Sequence, residues 1–186
     1  MKKSLILASQ SPRRRELLSL IEVPFNTVNP QVAETLNMEM ALDKSVEDLA
    51  YRKAVNVLEK YPQAIILAAD TIVVLDGEVL GKPQDAADAK RMLKALSNRS
   101  HKVITGVCIL SNEVKNIFSS TTTVEFYELS DELIDSYVSS NSPMDKAGAY
   151  GIQDKGALFV KGIKGDYYTV MGLPLARVYQ SLVEYI

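Results

Sequence analysis

Cysteine is almost absent from this 186-residue chain, in which Cys108 is the only one. A single cysteine excludes an internal disulfide framework and fits a reducing compartment. Cys108 lies in the apolar run 103–110, where burial is expected rather than reactivity. We therefore expect neither a disulfide scaffold nor a cysteine nucleophile.

Excess charge of one sign is also missing. The formal net charge is −2, from 21 Lys and Arg against 23 Asp and Glu. Without a basic aromatic surface or a global positive field, the chain has nothing that favours nucleic acid or an anionic membrane, so neither partner is expected. Any phosphate binding has to come from cations that the fold gathers locally.

Long apolar runs are absent as well, and no segment approaches the roughly 20 residues of a membrane-spanning helix. Leu5 to Ala8 is apolar but ends at Ser9, well short of a signal-peptide core. No lipidation motif is visible. These absences predict a cytoplasmic location and no membrane contact.

The chain carries no internal repeat, low-complexity tract or linker rich in Pro and Gly. Its 47% hydrophobic and 24% charged residues are typical of a folded globular protein. We therefore predict one domain over residues 1–186. Alternating strands and helices, with hairpins between some strands, predict an α/β fold with a mixed β-sheet flanked by helices.

Apolar periodicity and turn residues give the element predictions. Strands are predicted at 5–8, 25–28, 64–69, 71–75, 78–80, 102–110, 116–127, 158–160 and 167–170. Helices are predicted from Pro12 to near Pro24 and at 45–60, 85–96, 130–139 and 174–185. Asp76-Gly77 between two β-rich segments is a strong hairpin signal.

A polar loop from Ser9 follows the first strand and leads into a helix at Pro12. Such a loop presents unpaired N–H groups and the positive end of the helix dipole to an anion. Arg13 and Arg14 add planar guanidinium groups that match phosphate oxygens. The segment indicates a phosphate-binding loop, and a solvated basic helix start is the alternative.

Asp70 directly follows six apolar residues of a buried strand, where a carboxylate is costly without exposure or a cation. A functional site is favoured over a structural salt bridge. Thr71 beside it could orient a ligand. Glu34, in a stretch of little periodicity, would share a hard divalent cation with Asp70 if the fold brings the two together.

Two lysines are candidates for binding phosphate. Lys82 stands between Gly81 and Pro83 directly after a hairpin strand, where its backbone is constrained. Lys53 lies on a predicted helix, and on that evidence alone a solvated surface lysine is the better interpretation.

Residues 145–153, Asp-Lys-Ala-Gly-Ala-Tyr-Gly-Ile-Gln, combine charge, small residues and an amide in one segment. Small residues permit close approach of a ligand to the backbone. Gln153 has the donor and acceptor needed to recognise the edge of a nucleobase. Tyr150 is open to two interpretations, core packing or base stacking.

Four segments, in their order and spacing, resemble the Maf family of nucleotide pyrophosphatases. They are 8–14 (Ala-Ser-Gln-Ser-Pro-Arg-Arg), 69–71 (Ala-Asp-Thr), 80–83 (Leu-Gly-Lys-Pro) and 145–153, and the likeness extends to 170–174. The segment 145–153 resembles the branch of the family acting on dTTP and UTP rather than the branch acting on 7-methyl-GTP. Gln10 and Asp154 stand where the family often has glycine.

The resemblance implies an elongated mixed α/β fold similar to inosine triphosphate pyrophosphatases, with an active-site cleft between two lobes and a homodimeric assembly. It implies that Asp70 is the proton acceptor. The resemblance also implies that substrate choice depends on Arg13, Thr71 and Gln153. It implies that the phosphate and metal region is lined by Lys53, Lys82 and Glu34.

The resulting prediction is a nucleoside triphosphate pyrophosphatase that converts dTTP or UTP to the monophosphate and pyrophosphate, with a house-cleaning role in the nucleotide pool. Mg²⁺ or Mn²⁺ is expected on Asp70 and Glu34, together with phosphate oxygens. Two alternatives stay open: a phosphatase that releases orthophosphate, and a nucleotide-binding regulator that affects cell division.

Overall fold

The computed structural model describes residues 3–185. Its strands are β1 (Leu5–Ala8), β2 (Phe25–Val28), β3 (Ile65–Leu75), β4 (Glu78–Leu80), β5 (Ser100–Leu110), β6 (Lys115–Phe126) and β7 (Val160–Lys164). Its helices are α1 (Pro12–Ser19), α2 (Leu42–Leu58), α3 (Ala86–Leu96), α4 (Asp131–Ser139), α5 (Tyr167–Met171) and α6 (Leu175–Leu182). Three short 3₁₀ turns cover Ser142–Asp145, Ala147–Ala149 and Lys155–Phe159.

The seven strands form one sheet in the order β2-β1-β3-β5-β6-β7, and β4 pairs with β3 beside this path. β1 runs parallel to both β2 and β3. β4 is antiparallel to β3, and β7 is antiparallel to β6. The sheet is therefore mixed, and the predicted α/β class is confirmed.

The chain divides into two compact units. Unit 1 contains the described residues up to Asp70, Thr105–Ser120 and the described residues from Gly172 onward. Unit 2 contains Thr71–Ile104 and Thr121–Met171. The single domain and the cleft between lobes stay predictions.

The core of unit 1 is formed where helix α2 packs on the sheet. Its buried cluster consists of Ile6, Ala8, Ala50, Ala54, Val57, Ala64, Ile66, Ala68, Cys108 and Leu110. The small side chains allow close approach, and a Cβ added at Gly106 would stand 2.5 Å from the Val46 carbonyl oxygen. Burial raises the pKa of the Cys108 thiol to about 12, as expected for a cysteine that packs rather than reacts.

An aromatic cluster forms part of the core of unit 2. Its members meet edge to face, with ring centroids 4.7 to 5.7 Å apart, and they are His101, Phe126, Tyr137, Tyr150 and Phe159. This geometry suits the aromatic quadrupole and adds stabilisation beyond the buried area. The cluster joins β5, β6, α4 and the segment after residue 145.

The hairpin prediction at Asp76-Gly77 is confirmed. Both residues have positive φ, 52° and 86°, and β3 and β4 pair on either side of them. A two-residue turn of this kind matches the right-handed twist of its strands, and Asp and Gly tolerate its backbone better than most residues.

The segment 167–170 was predicted as a strand, and this prediction is wrong because the residues lie in helix α5. The Asp166 carboxylate accepts hydrogen bonds from the Thr169 N–H at 2.6 Å and the Thr169 hydroxyl at 2.8 Å. This side-chain cap fixes the start of a helical turn despite the β-rich composition. The predicted strand at 158–160 is also displaced, since β7 begins only at Val160.

The two strands predicted at 64–69 and 71–75 are one continuous strand, β3, so their separation is wrong, and the other element boundaries differ by a few residues. Helix α1 ends at Ser19 rather than near Pro24, and α2 begins at Leu42 rather than at Ser45. Within residues 3–185, the structure has no helix of sufficient length and apolar character to span a bilayer.

Candidate active site

The loop from Ser9 to Ser11 leads from β1 into α1. Ser11 caps the helix, because its hydroxyl accepts a hydrogen bond from the Arg14 N–H at 3.4 Å, and Pro12 occupies the first turn. The Ser9 hydroxyl accepts from the Ser11 N–H at 3.1 Å. The predicted order of strand, polar loop and helix is thus confirmed.

Arg14 links this loop to the C-terminal part of unit 1. Its Nε donates to the Gly172 carbonyl oxygen at 2.8 Å, and its Nη1 donates to the Ser9 hydroxyl at 3.4 Å. Burial lowers the pKa of Arg14, and the charge of Asp70 opposes that shift. The guanidinium stays protonated at neutral pH because its ordinary pKa lies so far above 7. Arg13 is half-buried on the same helix turn.

Asp70 lies near the Ser9 loop because β1 and β3 are parallel neighbours. Ala8, the last residue of β1, pairs with Ala68, so Ser9 begins the loop beyond β1, while Asp70 lies two residues farther along β3, which continues to Leu75. Ligands of open α/β sheets bind outside the carboxyl ends of parallel strands. The register therefore places a carboxylate beside a polar, basic loop.

Lys53 brings the predicted metal and catalytic acids of unit 1 together. Its Nζ donates to Glu34 Oε1 at 2.5 Å and to Asp70 Oδ1 at 2.7 Å. The lysine is only 3% exposed, whereas the Glu34 side chain is 58% exposed. Lys53 is thus a buried cation between two acids, and the interpretation of a solvated surface lysine is wrong.

The segment that carries Glu34 has no regular secondary structure, and side chains of α2 hold it in place. Arg52 donates to the Ala33 carbonyl oxygen at 3.0 Å and to the Thr35 carbonyl oxygen at 2.5 Å. Asn56 accepts from the Gln31 N–H at 2.8 Å. Both residues lie near Lys53 in sequence, but no sequence signal indicated that they fix the Glu34 segment.

The acids of unit 1 fit a hard divalent cation in their donor chemistry. Glu34 and Asp70 contribute carboxylate oxygens near one ammonium, and Mg²⁺ is typically bound by one or two carboxylates with water and substrate phosphates. Among residues 3–185, no group of three or more His, Cys, Asp and Glu side chains is arranged to hold a metal. This pair would therefore share a cation with the phosphates of a substrate.

The candidates of unit 2 lie on β3, after β4 and in the segment 145–153. Thr71 is the next β3 residue after Asp70, and Lys82 is exposed in the loop after β4. The Gly81 carbonyl oxygen accepts from the Gly148 N–H at 3.0 Å. This hydrogen bond joins two of the predicted motifs, 80–83 and 145–153.

Gly148 explains why small residues are needed in this segment. Its φ is +69°, and a Cβ placed there would stand 2.9 Å from Val73 Cγ1. Both the backbone conformation and the contact with β3 therefore favour glycine.

Tyr150 and Gln153 occupy different environments in the same segment. Tyr150 is 5% exposed, and its hydroxyl lies 2.7 Å from His101 Nε2, so its ring packs in the core. Gln153 is exposed. Of the two interpretations of Tyr150, core packing is the one that the structure supports, whereas the recognition role of Gln153 stays a prediction.

In unit 1 of this α/β protein, an acid, a buried lysine and an arginine lie near the carboxyl end of β1, a set of charges whose chemistry suits an anionic ligand. The model of the family described as "Maf-like protein" matches residues 4–185. The chain belongs to this family, and the resemblance seen in the four sequence motifs is confirmed.

Curated relatives match along almost the whole chain. A dTTP/UTP pyrophosphatase of Bacillus velezensis is 50% identical over 185 residues, covering 100% of this chain and 98% of the relative. A dTTP/UTP pyrophosphatase of Bacillus cytotoxicus is 50% identical over 183 residues, covering 98% and 96%. The crystal structure of a protein from Vibrio cholerae aligns with a TM-score of 0.36 and 12% sequence identity. The alignment covers 73% of this chain and 69% of the Vibrio chain, and the similarity is weak.

Proposed function

We propose that this protein hydrolyses nucleoside triphosphates, dTTP and UTP first among them, to the monophosphate and pyrophosphate. The observation that carries the proposal is Asp70, which lies in the middle of β3 just beyond the pairing with β1 and is paired with the buried Lys53 ammonium. Relatives that share half of the sequence over nearly their full length and are named dTTP/UTP pyrophosphatases support the same substrate class.

In this mechanism Asp70 accepts a proton from the water that attacks the α-phosphorus. The ammonium of Lys53 holds the Asp70 carboxylate by a 2.7 Å hydrogen bond, so the base is oriented before the substrate arrives. The bond from water to the α-phosphorus forms as the bond to pyrophosphate breaks, so no covalent intermediate is required, and the buried Cys108 is not a candidate nucleophile.

The cations neutralise the triphosphate and the charge that develops on the leaving group. Arg13, Lys53 and Lys82 are assigned this role, and the N–H groups of the Ser9 loop add fixed dipoles. Arg14 contributes positive charge while its hydrogen bonds to Ser9 and Gly172 hold the loop.

The cofactor proposed for the reaction is Mg²⁺ or Mn²⁺, with Asp70 and Glu34 as its protein ligands. When bound, such an ion polarises phosphate oxygens and lowers the pKa of a water molecule. The role of Lys53 is then to keep two negative side chains close together.

Base choice is assigned to Arg13, Thr71 and Gln153. The Gln153 amide offers both a donor and an acceptor, which is what the edge of a pyrimidine presents in return. We also propose that the protein is a homodimer in the cytoplasm with a house-cleaning role in the nucleotide pool.

The test is incubation with ordinary and modified nucleoside triphosphates plus Mg²⁺ or Mn²⁺, with pyrophosphate and orthophosphate resolved. Pyrophosphate from dTTP and UTP, faster than from purine nucleotides, is the expected result. Orthophosphate as the first product would establish the phosphatase alternative. Tight binding without turnover would establish the regulator alternative.

A further inference from the structure

The segment that carries Gln153 is held on both sides by one tyrosine of helix α4. The Tyr137 hydroxyl accepts a hydrogen bond from the Gly151 N–H at 3.0 Å and donates one to Asp154 Oδ1 at 2.9 Å. Gly151 lies two residues before Gln153, and Asp154 lies one residue after it. A single hydroxyl group therefore contacts the Gly151 backbone on one side of Gln153 and the Asp154 side chain on the other.

Asp154 adds further contacts around the same turn. Its Oδ1 accepts from the Gly156 N–H at 2.7 Å, which caps the 3₁₀ turn Lys155–Phe159, and its Oδ2 accepts from the Ser142 hydroxyl at 2.7 Å. Lys146 Nζ lies 3.5 Å from Oδ2. The carboxylate thus connects the turn to the start of the segment 142–153.

The carboxylate of Asp154 is held in its charged form. Burial alone would raise its pKa, but hydrogen bonds from the Ser142 hydroxyl, the Gly156 N–H and the Tyr137 hydroxyl together lower it below its ordinary value. Hydrogen bonds to a charged acceptor are stronger than those to a neutral one. These hydrogen bonds are therefore made to a charged carboxylate at neutral pH.

Close packing leaves the turn little freedom to rearrange. A Cβ at Gly151 would stand 2.7 Å from Lys146 Cε and 2.8 Å from Asp154 Oδ2. A Cβ at Gly156 would stand 2.5 Å from the Gly151 carbonyl oxygen. Gln153, by contrast, is exposed, so the buried contacts lie on the residues beside it.

We propose that Tyr137 and Asp154 are positioning residues that fix Gln153 for recognition of the nucleobase, although neither residue touches the substrate. The inference rests on the proposed function, since it assigns the fixed turn to base choice. It predicts that loss of the Tyr137–Asp154 hydrogen bond weakens selection between bases more than it slows the hydrolysis step.

The variants for the test are Tyr137→Phe, Asp154→Ala and Asp154→Asn. Tyr137→Phe removes only the hydroxyl and keeps the ring, which packs edge to face on Phe159 at 4.9 Å. Asp154→Asn keeps an acceptor oxygen, so it should restore part of what Asp154→Ala loses. Ser139→Ala is the matched control on the same helix, because the Ser139 hydroxyl donates only to carbonyl oxygens within α4.

The measurement is kcat and KM for dTTP and dCTP, together with hydrogen exchange at the Gly151 and Gly156 amides. For Tyr137→Phe we expect KM for dTTP to rise about tenfold, the dTTP to dCTP ratio of kcat/KM to fall about fivefold, and kcat to change by less than about threefold. Exchange at the Gly151 amide should accelerate about tenfold, and Ser139→Ala should match the parent.

Unchanged base selection in Tyr137→Phe, with faster exchange at Gly151, would overturn the inference. Gln153→Ala separates this failure from a failure of the proposed function. If Gln153→Ala alters base choice while Tyr137→Phe does not, the positioning role alone is wrong. If Gln153→Ala also leaves base choice unchanged, the assignment of Gln153 to base recognition is wrong. Equilibrium binding of dTTP and dCTP to each variant provides the same comparison without turnover.

Discussion

The buried ammonium of Lys53 holds the carboxylates of Glu34 and Asp70 close to each other. The ammonium is 3% exposed and donates to both Glu34 and Asp70. From sequence, a lysine on a helix is usually solvated, and its partners 17 and 19 residues away are invisible. Asp70 was recognisable because burying a carboxylate after six apolar residues is costly without a cation. Lys53 could be recognised only from the tertiary contacts that it makes in the structure.

The role of Asp70 as general base is tested by Asp70→Asn. The amide is nearly isosteric and should leave the fold intact, but it cannot accept the proton, so turnover should fall at least ~100-fold. Steady-state kinetics with dTTP and a thermal unfolding curve are the measurements. Near-normal turnover in a folded variant would refute the role.

Removal of the Lys53 ammonium should destabilise the protein. Lys53→Met leaves two carboxylates without their common cation, and the unfolding free energy should drop by about 1–3 kcal/mol, less than for a wholly buried pair because Glu34 is largely exposed. Chemical denaturation measures the loss. Lys60→Met, at an exposed position just after α2, is the control and should change stability by less than about 0.5 kcal/mol.

His101, the only histidine, should make stability depend on pH. Burial lowers its pKa to about 4. At pH values between about 4 and the ordinary pKa near 6.5, the unfolded chain binds a proton at this histidine and the folded chain does not. The free energy of unfolding therefore decreases as the pH falls, by about 2 kcal/mol from pH 7 to pH 5. Denaturation curves at both pH values should show that His101→Gln loses this part of the dependence, and equal losses in both proteins would contradict it.

At the scale of elements, the sequence was informative where one local signal decided the outcome. The Asp-Gly hairpin between β3 and β4 and the Ser130 cap of α4 were both predictable, because turn and cap chemistry act within a few residues. Helix α5 could not be predicted from its β-rich composition, because the hydrogen bond from the Thr169 N–H to the Asp166 carboxylate favours a helical turn there. The Arg14 contact with Gly172 was equally hidden, because its two ends lie 158 residues apart.

The packing of helix α2 on β5 depends on Gly106. A Cβ there would collide with the backbone of Val46, which cannot move without displacing the helix, so Gly106→Ala should cost about 1–3 kcal/mol of unfolding free energy. Gly162→Ala is the control in β7, where a Cβ meets nothing within 4 Å. Equal stability of the two variants by chemical denaturation would show that the helix adapts freely.

At the scale of the whole molecule, the mixed sheet and the family followed from motifs spread along the chain. The register of β1 with β3 then explains why Ser9 and Asp70 come together although they are 61 residues apart in number. The sequence could not reveal the division of the chain into two units, since β3, β5 and β6 each continue from one unit into the other. Glu34, Lys53 and Asp70 lie in unit 1, and Thr71, Lys82 and Gln153 lie in unit 2.

The proposed mechanism requires that water attacks the α-phosphorus of the nucleoside triphosphate. Hydrolysis of dTTP in ¹⁸O-labelled water, followed by mass spectrometry of the products, tests it most directly. We expect one ¹⁸O atom in the monophosphate and unlabelled pyrophosphate. Label in the pyrophosphate, or labelled orthophosphate as the first product, would place the attack at another phosphorus and refute the proposed mechanism.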